Sequence, residues 1–421
     1  MQAGFVSSII GVLTNFIIYW TFHPDYRTKI YNSINILGQS IVEDVFSSKF
    51  PYPVGYNMTI REQIESRGYV YEEHKIQTED GYILTAFRVP CKKGENADSK
   101  TPIQMQHGLF DDGGSWFFNN ETLDLSLQLV DQGYDVWSTN SRGTVYSNEH
   151  VNLTVNDKAY WDFSYHEMGK YDLPANLNYI LNTTNQSQVV YFGHSQGTTQ
   201  FFLGNSLTKD LSQYYKAFIG FAPVAHVSNS PSPLVKTLDL LEIPDLLLEY
   251  FWDLLYLPSI APVAAPFLHF FPRTVWNFIQ TLVGFDKVYH INLGTLPMMA
   301  RNDVGGTSTK DLMHWIQNFR SGNFAQYDYG ADQNMQIYGQ KTPPNYDLAS
   351  LKTTLAHVQI LLVAGSDDAL VASGDLKILQ AALPDNTKTV AVDDYNHLDY
   401  MWSADVNSKV NSQVFQFLNS F

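Results

Sequence analysis

A single cysteine, Cys91, is all that 421 residues contain. No intrachain disulfide can form, and no cysteine-based metal site can be built. A chain this long, 44% hydrophobic and 14% aromatic, has the apolar material for a large core without cross-links, so the count says little about compartment. Lys92 and Lys93 adjoin Cys91 and could lower a thiol pKa, but a bystander at a strand end is the simpler reading. Charge is scarce too, at 16% of residues, which excludes a disordered, solvating chain. Cations are scarcer than anions: 26 Lys and Arg against 42 Asp and Glu, a net charge of -16. That deficit argues against nucleic acid and against anionic lipid surfaces as partners. It suits a neutral lipid interface or an acidic compartment without establishing either. No His/Asp/Glu set has metal-ligand spacing such as H-E-x-x-H, so no metal is expected. Without a strand-linked G-x-G-x-x-G or a P-loop, no nucleotide cofactor is expected either. Tandem repeats and low-complexity segments are missing.

What is present begins with an uncharged run over residues 4–22, about the ~20 residues that cross a bilayer once. It lacks basic residues at its start and a small-x-small cleavage site before His23, so a signal-anchor or uncleaved signal fits better than a cleaved peptide. A buried N-terminal helix is the alternative. Asp25 dilutes Arg27 and Lys29, and orientation is not readable from charge. Asn57, Asn120, Asn152, Asn182 and Asn185 head N-x-S/T sequons and are candidate N-glycosylation sites, weak support for a secretory route.

Residues 23–55 read as a linker or stalk. Ile30, Ile34, Ile36, Ile41, Val45 and Phe46 have roughly helical spacing, and Pro51 and Pro53 end any helix. Residues 71–77 and 82–89 flank Thr78-Glu79-Asp80-Gly81, a hairpin around an Asp-Gly turn. Short apolar runs at 103–106, 134–138, 188–192, 217–222 and 359–364 are expected strands. Expected helices cover 173–181, 198–207, 376–383 and 404–418. A hairpin followed by repeated β-α units predicts an α/β fold: a mainly parallel sheet covered on both faces. Residues 226–325 break the rhythm. The 235–257 stretch is rich in Leu but carries five acids, too many for a membrane span. Pro258, Pro262, Pro266 and Pro272 then cut the chain among Phe267, Phe270, Phe271, Trp276 and Phe278. This segment is expected to be a helical cap or lid, inserted between two parts of a core at 56–225 and 326–421.

Residues 193–197 read Gly-His-Ser-Gln-Gly, between an apolar strand and a helix-compatible run. G-x-S-x-G in that setting is a nucleophile elbow, a tight turn that lifts the serine hydroxyl clear of the sheet. A serine hydroxyl needs a base within hydrogen-bond reach, and the base needs an orienting acid. In this fold type they follow in the order Ser, acid, His, each just past a strand. The 359–364 strand runs into Gly365-Ser366-Asp367-Asp368, where one of the two aspartates is the required acid. A strand-like run at 387–392 leads to His397. Ser195, Asp368 and His397 thus share one kind of position in the expected order. For the oxyanion, one N–H donor is expected from Gln196 and the other from Leu109, in the His107-Gly108-Leu109-Phe110 loop. His107 is read as bracing that loop, His194 as packing in the elbow, and His314, on a helix over 310–319, and His357 as structural.

Several stretches together resemble the acid lipases, the gastric and lysosomal group of α/β-hydrolases. They include Thr78-Glu-Asp-Gly-Tyr-Ile-Leu84, Gln106-His-Gly-Leu109, Asn140-Ser-Arg-Gly143, Tyr171-Asp-Leu-Pro-Ala175, Gly193-His-Ser-Gln-Gly-Thr-Thr199, Gly306-Thr-Ser308 and Tyr395-Asn-His-Leu-Asp399. They run in one order from about residue 56 to the C-terminus, with little similarity across most of the cap. The resemblance implies Ser195, Asp368 and His397 as a triad, Leu109 and Gln196 as oxyanion donors, and an acyl-enzyme. It also implies neutral lipid esters (triacylglycerols or steryl esters) as substrates and a secretory or lysosomal setting. Such esters would be met at an oil-water or membrane interface, and the candidate membrane anchor rests on the 4–22 run instead. Two departures bear on acyl selectivity: this cap lacks the cysteines of the family, and Arg301-Asn-Asp-Val304 differs from the usual pattern. Three rival readings remain: a carboxylesterase on soluble esters, a catalytically inactive hydrolase fold used for binding, and a peptidase, for which no peptide-sizing domain is visible.

Overall fold

The computed structural model describes residues 24–47, 50–119, 122–232, 235, 236, 239, 261–285, 289–302 and 304–421. The apolar run 4–22, nearly all of 235–257, and Asn120 lie outside these residues. No helix of the described residues is long and apolar enough to cross a membrane.

Nine strands form one sheet: β1 (Glu72–Gln77), β2 (Tyr82–Val89), β3 (Pro102–Gln106), β4 (Asp135–Thr139), β5 (Glu149–His150), β6 (Val189–His194), β7 (Tyr215–Phe221), β8 (Gln359–Gly365) and β9 (Lys388–Val392). Their order is β1-β2-β4-β3-β6-β7-β8-β9, with β5 paired to β2. The β1–β2 hairpin and the β2–β4 pair are antiparallel, and every pair from β4 through β9 is parallel. At the hairpin turn Gly81 takes φ +100°, and a Cβ there would stand 2.8 Å from His150 Nε2. Strands β3, β4 and β6 are buried at every position, as expected where helices cover both faces of a parallel sheet. Edge strand β9 is largely exposed and opens on Lys388, which discourages pairing with another chain.

The expected elements form with end shifts of one to three residues, as in Leu173–Thr184, Gln196–Leu207, Ser373–Ala382 and Thr309–Ser321. The run expected as one helix over 404–418 instead holds a π-turn, Asn407–Asn411, ahead of Ser412–Leu418. Between β7 and β8 the described part of the insertion is helical, with Ala261–Phe270, Pro272–Val283, Leu296–Asn302 and Thr309–Ser321.

Residues 23–55 differ from a linker. Pro24–Phe46 is one helix, and it packs on Pro272–Val283. It docks through polar positions: Ser33, Ser40 and Asp44 are buried, while Ile34, Ile41, Val45 and Phe46 face outward. Asn277 donates to Ser40 Oγ at 2.6 Å. The Asp44 carboxylate accepts from the Thr274 N–H and hydroxyl, both at 2.8 Å, and from the Arg273 N–H at 3.3 Å. Those amides are at the first turn of Pro272–Val283, whose own N-cap, Phe271, has no side chain able to bond them. Asp44 therefore caps the helix from outside, where a carboxylate also meets the positive end of the helix dipole.

Candidate active site

Strand β6 delivers Ser195 into the tight turn before Gln196–Leu207. Ser195 has φ +51° and ψ -120°, a conformation that costs a non-glycine residue of order 1–3 kcal/mol. Its neighbours hold it there. Ser195 N–H donates to the Phe221 carbonyl at the end of β7 at 3.0 Å, and the Ser195 carbonyl accepts from Thr198 N–H at 2.8 Å and Thr198 Oγ1 at 2.6 Å. The flanking glycines permit the approach. A Cβ on Gly193 would meet Thr198 N at 2.8 Å, and one on Gly197 would meet the Gln106 carbonyl at 2.4 Å.

His397 and Asp368 arrive from loops that follow β9 and β8. His397 Nε2 lies 2.6 Å from Ser195 Oγ, and His397 Nδ1 lies 2.9 and 3.0 Å from the two Asp368 oxygens. These partners assign the tautomer: Nδ1–H donates to the carboxylate and Nε2 accepts from the serine hydroxyl. Asp368 Oδ1 also accepts from the N–H groups of Leu370 and Val371, each at 2.9 Å. Both His397 and Asp368 are buried. Asp367 is directed elsewhere: its N–H donates to the Tyr395 carbonyl at 3.0 Å and its carboxylate accepts from Ser366 at 3.4 Å.

The loop after β3 carries His107, Gly108 and Leu109. Gly108 abuts the serine, since a Cβ there would stand 3.2 Å from Ser195 Cβ. Leu109 is half-buried in this loop, and Gln196 N–H lies at the N-terminus of its helix, where an amide has no intrahelical acceptor. Phe110 holds the loop in a positive-φ conformation, φ +68°. Its carbonyl accepts from the N–H groups of Gly305 at 2.7 Å and Gly306 at 3.2 Å. His107 braces the loop, with Nδ1–H donating to the Gly108 carbonyl at 2.8 Å and Nε2 accepting from Ser141 N–H at 3.0 Å. Burial pushes its pKa down, which keeps it neutral. His194 donates from Nε2 to the His397 carbonyl at 2.8 Å.

Two supports of this site have no local signature in the sequence. The Val283 carbonyl, at the end of Pro272–Val283, accepts from Ala369 N–H at 3.0 Å and His397 N–H at 3.3 Å. One carbonyl thus holds both the acid loop and the histidine loop. Gly284 follows at φ +116°, and a Cβ there would stand 1.9 Å from the Asp367 carbonyl. The second support grips the Gln196 side chain. Its amide Nε2 donates to Asp311 Oδ2 at 3.0 Å, and its Oε1 accepts from Trp315 Nε1 at 2.6 Å. Asp311 further accepts from Thr307 Oγ1 at 2.9 Å and Tyr165 N–H at 2.7 Å. Burial raises the Asp311 pKa to about 7, against these donors, which favour the anion.

The motif residues Arg142 and Asp172 prove structural. Both are buried, and Arg142 bonds Asp172 at 2.8 Å and Asp80 at 2.5 and 2.9 Å while lying over the Tyr82 ring. His314 bonds Ser164 at 3.0 Å and the Ala325 carbonyl at 2.8 Å, and His357 bonds the Ser212 carbonyl at 2.9 Å. Cys91 is buried, and burial raises its pKa. Among the described residues no cluster of His, Cys, Asp or Glu could hold a metal ion. Asn57, Asn152, Asn182 and Asn185 are exposed.

This strand order, with a serine at the turn after β6 and its partners after β8 and β9, defines a class, and comparison with known families agrees. The family model for the α/β hydrolase fold matches residues 101–404, and one described as a partial α/β-hydrolase lipase region matches residues 60–120. The chain belongs to the α/β-hydrolase fold family. It is 35% identical over 367 residues to the gastric triacylglycerol lipase of Mus musculus, covering 85% of this chain and 91% of that one. It is 33% identical over 374 residues to the lysosomal acid lipase/cholesteryl ester hydrolase of Homo sapiens, covering 87% of this chain and 92% of that one. Within the fold family, then, the chain belongs to the acid lipases, and it is a carboxylic ester hydrolase.

Proposed function

We propose that the protein is a serine lipase that cleaves the ester bonds of neutral lipids, triacylglycerols or steryl esters, through an acyl-enzyme on Ser195. The observation that carries the reading is the unbroken line of hydrogen bonds from Ser195 Oγ through His397 to Asp368. His397 Nε2 takes the hydroxyl proton as Ser195 Oγ attacks the acyl carbonyl. Asp368 keeps the proton on Nδ1 and stabilises the imidazolium. The N–H groups of Leu109 and Gln196 receive the oxyanion. Collapse releases the alcohol, which leaves with the proton from His397. Water then repeats the sequence: His397 deprotonates it, the acyl carbon accepts it, and the fatty acid departs as Ser195 recovers its proton.

The neutral-lipid substrate is supported by the relatives, which are named for triacylglycerols and cholesteryl esters. The insertion at 226–325 serves as the cap over this site, and its Phe267, Phe270 and Phe278 suit a lipid-facing roof. A secretory route fits the relatives and the exposed sequon asparagines, with residues 4–22 as signal or anchor.

Ser195→Ala tests the chemistry. The variant should fold, lose turnover of p-nitrophenyl butyrate and lose labelling by a fluorophosphonate. Retained turnover removes Ser195 from the mechanism, and unlabelled wild-type protein favours an inactive binding fold. A rate that jumps once triolein or cholesteryl oleate forms an emulsion separates the lipase from an esterase on soluble esters.

A further inference from the structure

The helix Pro24–Phe46 is inside out. Its polar stripe of Ser33, Ser40 and Asp44 is buried against Pro272–Val283, and its apolar side faces outward, with Ile34 58%, Ile41 46%, Val45 55% and Phe46 84% exposed. Isolated exposed apolar side chains are ordinary, but a cluster is not. Of the eighteen large apolar side chains exposed among the described residues, eight lie between Ile34 and Val54. Four more belong to the neighbouring insertion, including Phe267, Phe270 and Phe278. The two groups adjoin: Tyr52 stacks on His269 at 4.0 Å, in the helix Ala261–Phe270 that carries Phe267 and Phe270.

We propose that this outward face rests on the surface of a zwitterionic phospholipid bilayer. Three observations select that occupant. The uncharged run of residues 4–22, long enough to cross ~30 Å of hydrocarbon, ends where the helix begins, so the helix would start at a lipid surface. Between Asn32 and Phe46 the only charges are Glu43 and Asp44, and Asp44 points inward while Glu43 lies 3.7 Å from Arg273. Between Asn32 and Phe46 the outward surface therefore carries one exposed charge, the Glu43 carboxylate paired with Arg273, and Ile34, Ile41 and Val45 can settle among headgroups without desolvating another. The net charge of -16 opposes an anionic membrane. Docked in this way, the bilayer would lie against the same helix pair whose far end carries Val283 and the loops of Asp368 and His397.

The placement can be read in the full chain by spin labelling. Single cysteines are introduced by Ile34→Cys, Ile41→Cys, Val45→Cys and Ile378→Cys in a Cys91→Ser background, reconstituted in phosphatidylcholine vesicles. Ile378 is 45% exposed on the helix Ser373–Ala382 and serves as the water-facing control. Labels at 34, 41 and 45 should collide with oxygen several-fold more, and with a nickel chelate several-fold less, than the label at 378. Nickel collisions equal to those at 378 would place the helix in water and overturn the proposal. Exclusion of both reagents would overturn it as well, because the face would then be covered by protein, either residues 4–22 folded back or a second copy. In a second arm, the double variant Ile41→Glu with Val45→Glu should keep wild-type turnover of soluble p-nitrophenyl butyrate. It should lose about fivefold or more on a triacylglycerol dispersed in the same vesicles. Equal rates on the dispersed ester would count against the docking. Loss of the soluble-ester activity in wild-type protein would instead count against the ester-hydrolase reading, on which only this second arm rests.

Discussion

Asp311 should make the fold more stable as pH falls from about 7 toward 3.8. It is fully buried with no cation beside it, and its pKa rises from 3.8 to about 7 on folding. Between those values the folded protein holds a proton that the unfolded chain has lost, so stability grows as pH falls. The contribution is complete below pH 3.8 and lost as pH climbs through about 7. From pH 7.5 to pH 5, linkage at ~1.4 kcal/mol per pH unit gives about 2 to 3 kcal/mol from this one group. Asp112 and Asp124, also raised by burial, tilt the curve the same way, so the informative quantity is a difference between proteins. Asp311→Asn should flatten the dependence of the urea midpoint on pH by that amount. An equal slope in both proteins would refute the reasoning. The variant has a kinetic signature too. An asparagine cannot accept on both sides, so one of its neighbours, Tyr165 N–H or the Gln196 and Thr307 donors, meets an amide NH2. Gln196 cannot escape by flipping, because its Nε2 would then face Trp315 Nε1–H. Loss of one oxyanion donor lowers kcat by ~10²–10³, so a displaced Gln196 N–H should lower it about tenfold with KM little changed. An unchanged kcat would show that the side-chain clamp does not set the donor.

Two pairs of substitutions separate the acid from its neighbour and the insertion from its loops. Asp368→Asn should lower kcat by about 10⁴ through the wrong histidine tautomer, whereas Asp367→Asn should lower it little; the reverse order would reassign the acid. Gly284→Ala, with its Cβ 1.9 Å from the Asp367 carbonyl, should lower both the melting temperature and kcat. Gly133→Ala, also at positive φ but with nothing within 4 Å of its Cβ, should cost ~1–2 kcal/mol of stability and leave kcat alone.

The parts of the site legible in the sequence are those with a local signature. A β-branched strand, a glycine-flanked serine and a helix mark the elbow within about twenty residues. The positions of Asp368 and His397 follow because each stands just past an apolar run. Choosing Asp368 over Asp367 needed the family resemblance, since both lie in the same loop. The Gln196 grip was out of reach, because Asp311 and Trp315 lie more than a hundred residues away with no periodicity linking them. The Val283 carbonyl has no side-chain signal at all. The N-terminal helix Pro24–Phe46 shows its period in the sequence but not the side on which it packs. Its isoleucines do have helical spacing, but burial follows the other stripe, where Ser33, Ser40 and Asp44 are buried and Leu37 between them is half-buried, at intervals of three and four. Ser33, Ser40 and Asp44, small polar residues at that spacing, mark the side that packs, and only the structure shows that they meet another helix.

The shared acceptor at Val283 ties the seating of one helix of the insertion to the alignment of the acid and the base. A displacement of the Pro272–Val283 helix would carry that oxygen off and slacken both loops. On the proposed reading of the insertion as a cap, any movement that leaves both loops in place has to spare the 272–283 segment.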